Sequence, residues 1–177
     1  KQNPEIDHLV SIVGEGVPVD VTEGCDLTAE LRYGNHTSAD RHTPLVLDQV
    51  HQDLKNGRAL IFPLEMATSI PGLRVSPFGV VVKPTKVRII HDLTFTQHKK
   101  TDSVNSQTDF KQAPPCELAL RKILEPTSRI LLSKMDVKDA IWQIPINANN
   151  AKTFGYVIDK FLIIDLRLQF GWRNSPG

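Results

Sequence analysis

The sequence has little of several features that define specialised protein classes. Its 177 residues include two cysteines, Cys25 and Cys116, which lie far apart and form no Cys-x-x-Cys pair or Cys/His cluster. The sequence therefore indicates neither a disulfide framework nor a zinc site, and reduced, buried thiols are the simplest interpretation. The longest apolar runs, such as 161–164, stop well short of the roughly 18 residues that a membrane span requires. We predict no membrane partner and expect an intracellular protein.

An excess of charge of one sign is also lacking. Twenty-one Lys and Arg residues face 20 Asp and Glu residues, and the formal net charge of +1 excludes a uniformly basic nucleic-acid coat protein. The hydrophobic share of 40% and the aromatic share of 6% are typical of a globular chain and exclude a disordered tail. The balance is uneven, because residues 1–30 contain one Lys and seven acidic residues. Any anion-binding surface is therefore expected after residue 30.

Hydrophobic periodicity predicts an irregular lead-in over residues 1–37 and an α+β domain over residues 38–177. The lead-in mixes Gly, Pro and acidic residues with short Val-rich pieces, without a sustained period. In the second part, antiparallel hairpins follow helices, which is typical of the α+β class. The expected elements are a helix over 44–56, a strand over 59–62, a helical turn over 64–68, a hairpin of 78–82 and 87–90, a long loop over 94–115, a helix over 117–125, a strand over 129–135 and a hairpin of 153–158 and 161–168.

Asp136 is the strongest single candidate for chemistry. It follows directly on the apolar strand predicted over 129–135. A carboxylate at the end of a strand suits a hard cation such as Mg²⁺, which prefers oxygen ligands. An Asp after a strand is also a common N-cap of the next helix. Taken alone, this residue leaves both interpretations open.

Four segments resemble motifs of reverse transcriptases and occur in the order in which that family has them. Residues 134–146 resemble the first catalytic motif, a strand that ends in Asp-x-x-Asp-Ala, and residues 169–176 resemble the next motif downstream. Residues 76–83 and 87–93 are similar to the hairpin of the fingers, and residues 103–105 to the Ser-Val-Asn segment after it. The resemblance covers roughly residues 40–177, and it is nearer to retrotransposon polymerases than to retroviral ones.

The resemblance implies the fingers and the N-terminal part of the palm of a right-hand polymerase. Such an enzyme extends a primer on an RNA or DNA template, using deoxynucleoside triphosphates and two Mg²⁺ ions. Asp136 would ligate both ions, and the carbonyl group of Val137 would ligate one of them. The backbone N–H groups of Asp139 and Ala140 would meet the triphosphate.

The same resemblance assigns nucleotide contacts to the fingers and to the downstream motif. Lys83 and Arg88 would clamp the triphosphate, and Arg88 is the better candidate because a guanidinium holds phosphate oxygens in pairs. Without the family, a solvated basic hairpin tip is the simpler interpretation. Phe170 and Gly171 would border the nucleotide, although Phe170 is equally well explained as a core aromatic.

Ile141 departs from the family, which usually has Phe or Tyr at this place under the nucleotide sugar. Ile is shorter and not planar, so we expect weaker discrimination against ribonucleotides, or else that Trp142 supplies the wall. Neutral drift in a decayed element is the remaining alternative. His91 and Asp92 are adjacent on a predicted strand and point to opposite faces, so both are assigned to structure or template contact.

The sequence contains no aromatic-x-Asp-Asp segment, which reverse transcriptases use as their second carboxylate pair. We therefore expect a piece of a retroelement polyprotein that is active only with the remainder of that polyprotein. As an isolated fragment it is predicted to have no polymerase activity. The alternative is a truncated, non-catalytic relic that at most binds nucleic acid.

Overall fold

The computed structural model describes residues 4–19, 21, 26–83, 86–96, 103–109 and 140–175, which form a mixed α+β fold. The helices are α1 (Pro4–Glu15), α2 (Leu27–Arg32), α3 (Thr37–Asp40), α4 (Thr43–Lys55), α5 (Val104–Gln107) and α6 (Ala140–Gln143), with 3-10 helices at Leu64–Ser69 and Ala151–Phe154. The strands are β1 (Ala59–Pro63), β2 (Phe78–Lys83), β3 (Lys86–His91), β4 (Gly155–Ile158) and β5 (Phe161–Asp165). The helix expected over 117–125, the strand expected over 129–135 and both cysteines lie outside the described residues.

Two helices, α1 and α2, lie where an irregular lead-in is expected, and this expectation is corrected. Pro4 begins α1, as its fixed φ favours, and Gly16, with φ of +84°, follows the end of that helix. The carboxylate of Asp26 caps α2 by accepting a hydrogen bond from the Ala29 amide at 3.1 Å. Short helices with good end signals form here although no long period is present. The domain boundary at residue 38 stays a prediction.

The α2 helix is attached to the body of the protein through an ion pair between buried Arg74 and partly exposed Glu30. Nε of Arg74 donates to the Glu30 carboxylate at 2.9 Å, and the other carboxylate oxygen accepts from the Val75 amide at 2.6 Å. Arg74 is 5% exposed and also donates to the Gln107 side chain at 3.1 Å. These bonds link α2 to the segment around Arg74, and removing one partner would leave the other charge uncompensated.

The helix predicted over 44–56 is confirmed as α4. Pro44 stands in its first turn, and Gly57 continues the chain with φ of +63° immediately after the helix. Val46 and Val50, one turn apart, are buried on the face that packs against the strands. The turn at 56–57 leads the chain directly into β1.

The strands form a three-stranded antiparallel sheet in the order β1-β5-β4 and a separate β2–β3 hairpin. Both predicted hairpins are present, but the second is shorter than expected. Residues 153–154 belong to a 3-10 helix, and β5 ends at Asp165. Beyond that residue the Leu166 amide still donates to the Arg58 carbonyl at 2.8 Å, while the Leu166 carbonyl accepts from the Ile146 amide at 3.0 Å. The chain there bonds to a further segment as well as to the residue before β1. The expected loop over 94–115 contains α5, which the sequence analysis misses.

Three hydrophobic clusters hold these elements together. The first lies between α4 and the strands, the second joins the segment around residue 19 to α5, α6 and the region after β5, and the third lies beside the 3-10 helix at 64–69. Their fully buried large side chains include Val46, Leu73, Leu93, Val104, Phe154, Leu162 and Ile163. None of the helices in the described ranges has the length and apolar character to span a membrane.

Candidate functional site

The β2–β3 hairpin places Lys83 and Arg88 on one face. Val81 pairs with Arg88 and Lys83 pairs with Lys86, and residues paired across an antiparallel ladder share a face. The opposite face carries Phe78 and Val80, which are buried in the core. The Lys83 side chain is exposed near the tip, while Arg88 is partly buried. The expected basic hairpin is thus present, with its two predicted phosphate ligands in different environments.

Arg88 and Phe170, distant in sequence, meet in the structure. The guanidinium carbon of Arg88 lies 5.4 Å from the centre of the Phe170 ring, within the range of a cation–π contact. Both residues border a small cavity of about 90 Å³. Phe170 therefore contacts a cation in addition to the second hydrophobic cluster, against which it also packs. The cavity is lined by Gln49, Arg58, Val87, Arg88, Ile89, Trp142 and Phe170.

Ile141 and Trp142 are adjacent but have different surroundings. Ile141 is 9% exposed and belongs to the second hydrophobic cluster. Trp142 is half-buried and lines the cavity that Arg88 and Phe170 share. Of the two residues that the sequence analysis considers for the wall of the nucleotide site, the structure brings only Trp142 to the predicted phosphate ligand Arg88.

Gly171 fits its position because no side chain could replace it. Its φ is +109°, a region that L side chains rarely adopt, and a Cβ atom there would overlap the carbonyl oxygen of His91. One residue earlier, the Phe170 carbonyl accepts a hydrogen bond from the His91 amide at 3.2 Å. The end of β3 and the turn after residue 169 are therefore in backbone contact, which places Phe170 beside Arg88.

Asn105 connects three segments at this turn. Its Nδ2 donates to the Gly171 carbonyl at 2.7 Å and to the Thr94 hydroxyl at 2.9 Å, and its Oδ1 accepts from the Arg173 amide at 2.8 Å. Its own amide donates to the Leu93 carbonyl at 2.9 Å. We call Asn105 with these four residues the Asn105 joint. The Ser-Val-Asn resemblance locates this residue in the sequence, but not its role.

A larger groove of about 820 Å³ opens beside the Asn105 joint. Seven of its eight lining residues are polar, although the surface they present to the groove is mainly apolar. The Asp92 carboxylate within it lies 3.1 Å from Nε2 of His36. His91, by contrast, points into the core, as expected for adjacent residues of one strand. The lining residues are Asp92, Thr94, Phe95, Thr96, Ser103, Asn105, Ser106 and Arg173.

His91 and Asp165 form a buried pair that the sequence analysis does not anticipate. Nε2 of His91 lies 3.2 Å from Oδ2 of Asp165, without the alignment of a hydrogen bond, and each residue is 1% exposed. Burial lowers the pKa of His91 to about 3, and burial together with the negative charge of Asp53 raises the pKa of Asp165 well above its ordinary value. Both shifts favour the uncharged form of the group concerned. No local sequence signal links residues 74 positions apart.

The predicted metal ligands Asp136 and Val137, and the predicted triphosphate contact Asp139, lie outside the described residues. Ala140 is the first residue of α6 and is exposed. In the part of the chain that the structure describes, no group of three or more His, Cys, Asp or Glu residues is placed to hold a metal ion. The magnesium site therefore stays a prediction from the sequence.

Comparison with solved structures identifies the fold. A foamy viral protease-reverse transcriptase in complex with double-stranded DNA matches 94% of this chain with a TM-score of 0.54 at 19% identity. The chain has a reverse transcriptase-like fold. A second structure of foamy viral protease-reverse transcriptase with double-stranded DNA matches 81% of this chain, with a TM-score of 0.49 at 22% identity. This chain spans about a quarter of the length of either, 25% and 26%.

The predicted α+β class, with fingers-like antiparallel hairpins, is confirmed by this similarity. It does not distinguish a retrotransposon polymerase from a viral one. No protein-family model matches the chain, and no curated protein does.

Proposed function

We propose that the chain is part of an RNA-directed DNA polymerase of a retrotransposon, and that the Arg88–Phe170 cavity, which is too small for a whole nucleotide, forms one part of the surface that contacts the incoming deoxynucleoside triphosphate. The observation that supports this most directly is the meeting of these two residues. They come from two of the motifs that resemble reverse transcriptases, and they line one cavity in a reverse transcriptase-like fold. A chance resemblance of separate segments has no reason to bring them together.

The charges around the cavity suit a triphosphate. Arg88 offers a planar guanidinium, whose paired N–H groups match phosphate oxygens, and Lys83 adds an exposed ammonium on the same face of the hairpin. The aromatic rings of Phe170 and Trp142 offer flat apolar surfaces for a base or sugar. A cation and aromatic rings therefore both border the cavity, and a nucleotide can use the first for its phosphates and the second for its base or sugar.

Asp136 and the Val137 carbonyl are proposed to hold Mg²⁺, since carboxylate and carbonyl oxygens are the ligands that this cation prefers. When bound, the metal would supply charge stabilisation for nucleotidyl transfer. The N–H groups of Asp139 and Ala140 are proposed to contact the triphosphate. A primer and its RNA or DNA template, and the remainder of a retroelement polyprotein, are the proposed partners.

The binding part of this proposal is tested with a template–primer duplex and dATP opposite a templating thymine. For the duplex, each phosphate contact contributes about one unit to the slope of log affinity against log salt concentration, so duplex binding should weaken as the salt concentration is raised. We expect Arg88→Met to weaken dATP binding about tenfold, the size of one charge-assisted contact, as measured by ligand-observed NMR. Arg32→Met, which removes an exposed cation at the end of α2, is the matched control and leaves dATP binding unchanged.

Three outcomes separate the alternatives. Equal dATP affinity in the parent and in Arg88→Met would contradict the nucleotide site. Duplex binding that falls with salt but does not respond to dATP would favour a non-catalytic nucleic-acid-binding relic. Primer extension by the isolated chain, absent from an Asp136→Ala variant, would establish polymerase activity and would contradict the proposal that the isolated chain is inactive.

Sugar selectivity tests which neighbour forms the wall of the site. Because Trp142 lines the cavity and Ile141 packs in the core, we expect Trp142→Ala to reduce the preference for dATP over ATP. Ile141→Val is the matched control and should leave the ratio of the two affinities unchanged. An altered ratio in Ile141→Val together with a normal ratio in Trp142→Ala would assign the wall to Ile141.

A further inference from the structure

Asn105 is buried, and its hydrogen-bonding groups are fully used. The residue is 9% exposed, and its side-chain amide makes two donor bonds and one acceptor bond, each between 2.7 and 2.9 Å. Its backbone carbonyl also accepts from Nη1 of Arg173 at 3.1 Å. An asparagine amide has two N–H donors and one oxygen, so both donors and the acceptor are engaged at once. Few other side chains could satisfy this arrangement.

The partners of Asn105 belong to segments that carry the nucleotide cavity. Leu93 and Thr94 follow β3, the strand that bears Arg88, while Gly171 and Arg173 follow Phe170. The separations along the chain are 11 residues to Thr94 and 66 residues to Gly171. The Asn105 joint therefore ties the end of the fingers hairpin to the turn that holds Phe170, without itself lining the Arg88–Phe170 cavity.

Further bonds fix α5 to the same turn. The hydroxyl of Thr108 accepts from the Trp172 indole at 3.3 Å, and Nη1 of Arg173 donates to the Thr108 carbonyl at 3.2 Å. Nδ2 of Asn174 donates to the Asp109 carbonyl at 2.8 Å. In these bonds the turn contributes its side chains. Among the described residues, Asn105 alone hydrogen-bonds the backbone of the turn at both Gly171 and Arg173 through one side chain.

We propose that Asn105 is a positioning residue, which sets the distance between Arg88 and Phe170 by holding the Gly171–Arg173 turn against the end of β3. Its action on nucleotide binding rests on the proposed function. Its action on the turn does not, since that follows from the hydrogen bonds alone. The two parts are measured separately.

Native-state hydrogen exchange tests the action on the turn. The His91 amide donates to the Phe170 carbonyl and makes no contact with Asn105, so its exchange reports on the turn indirectly. The His36 amide, which donates to the Phe78 carbonyl, serves as the internal reference. In Asn105→Asp, a carboxylate oxygen faces the Gly171 carbonyl, and we expect His91 exchange to rise at least about tenfold more than His36 exchange. Asn105→Ser is the gentler variant, with the same direction, should Asn105→Asp fail to fold.

Asn35→Asp is the matched control. Asn35 also bridges distant segments, since its Nδ2 donates to the Val157 carbonyl at 2.7 Å and its Oδ1 accepts from the Phe78 amide at 3.3 Å. This change should not raise His91 exchange above His36 exchange. An equal rise of both amides in Asn105→Ser would show that Asn105 only adds global stability, and it would overturn the proposal.

A double-mutant cycle tests the action on nucleotide binding. We expect Asn105→Ser to weaken dATP binding about tenfold in the parent, but less than about twofold when Arg88→Met has already removed the contact that Asn105 positions. Equal losses in both backgrounds would overturn the positioning role. If the parent itself does not bind dATP, the proposed nucleotide site fails, while the exchange measurement still decides whether Asn105 holds the turn.

Discussion

Two sets of polar groups hold the segment Phe170–Gly171, one on each side, and they differ in whether they can ionise. On one side, in the Asn105 joint, the Asn105 side chain is neutral at every pH, and each donor and acceptor of its amide is paired. On the other side the His91 backbone holds Phe170, while the His91 ring and Asp165 form the buried pair. Within the described residues, neither ring nitrogen of His91 nor either carboxyl oxygen of Asp165 has a hydrogen-bond partner.

The Asn105 joint acts by positioning the turn, whereas the buried pair acts through its ionisation state. The Asn105 joint contributes directional bonds that do not change with protonation, so it fixes geometry. The buried pair contributes little directional bonding, and its stability depends on keeping both groups uncharged. A single turn therefore has one support that is insensitive to pH and one that is sensitive to it.

The largest expected effect comes from removing the close approach on which both supports depend. In Gly171→Ala, a methyl group would overlap the His91 carbonyl in a backbone conformation that already disfavours side chains. We expect a loss of about 3 kcal/mol or more in the free energy of unfolding, measured by urea denaturation. Gly57→Ala is the matched control, because Gly57 also has positive φ but no heavy atom within 4 Å of the added group.

Gly57→Ala should cost only about 1 to 2 kcal/mol, the cost of the conformation alone. Similar losses in the two variants would mean that the turn moves freely away from β3. The two sides of Phe170–Gly171 would then not be rigidly coupled.

The next effect concerns pH and isolates the buried pair. The folded-state pKa of Asp165 is raised, so the folded state retains a proton that the unfolded state loses above about pH 4, and stability falls as pH rises. The folded-state pKa of His91 is lowered to about 3, so the unfolded state takes up a proton below about pH 6.5, and stability falls as pH decreases. Between these limits the two contributions oppose each other.

Above about pH 6.5 the His91 contribution is constant, so the remaining negative slope of stability against pH comes from Asp165 and persists until that group ionises in the folded state. Asp165→Asn removes that slope. We therefore expect the variant to gain stability relative to the parent as the pH is raised from 6.5 to 8.5, measured by urea denaturation at each pH. Parallel curves for the two proteins would show that Asp165 is already ionised in the folded state.

The sequence predicts the local elements well because their signals are local. The proline and apolar period of α4, and the alternating runs of β2 and β3, specify those elements without reference to the rest of the chain. The helices α1 and α2 are missed because their signals are short. The resemblance between motifs locates Arg88 and Phe170, and packing in the core separates Ile141 from its neighbour Trp142.

The two supports of the turn could not be predicted in the same way. Asn105 has a recognisable motif, yet its partners lie up to 68 residues away, and no periodicity encodes such contacts. His91 and Asp165 lie on strands of two different sheets, β3 and β5. They meet because both sheets pack against one core. Because His91 and Asp92 are adjacent on a strand, their side chains are predicted to point to opposite faces. This pattern does not identify Asp165 as the residue that His91 contacts.

The smallest effect is expected from removing one hydroxyl group on the side of the turn that the Asn105 joint supports. The Thr108 hydroxyl donates to the Val104 carbonyl at 2.7 Å and accepts from the Trp172 indole at 3.3 Å, and Trp172 is 5% exposed. Thr108→Val keeps the shape but leaves the buried indole N–H unpaired, so we expect a loss of about 1 to 2 kcal/mol in the free energy of unfolding.

Thr108→Ser retains the hydroxyl and provides the control, because it loses only a methyl group. The loss in Thr108→Val should be independent of pH from 5 to 8, since neither partner titrates in that range. A loss that varies with pH in the manner of Asp165→Asn would mean that the two sides of the turn share one protonation equilibrium. The contrast between a pH-insensitive support and a pH-sensitive one would then fail, because ionisation of the buried pair would reach α5 through the turn itself.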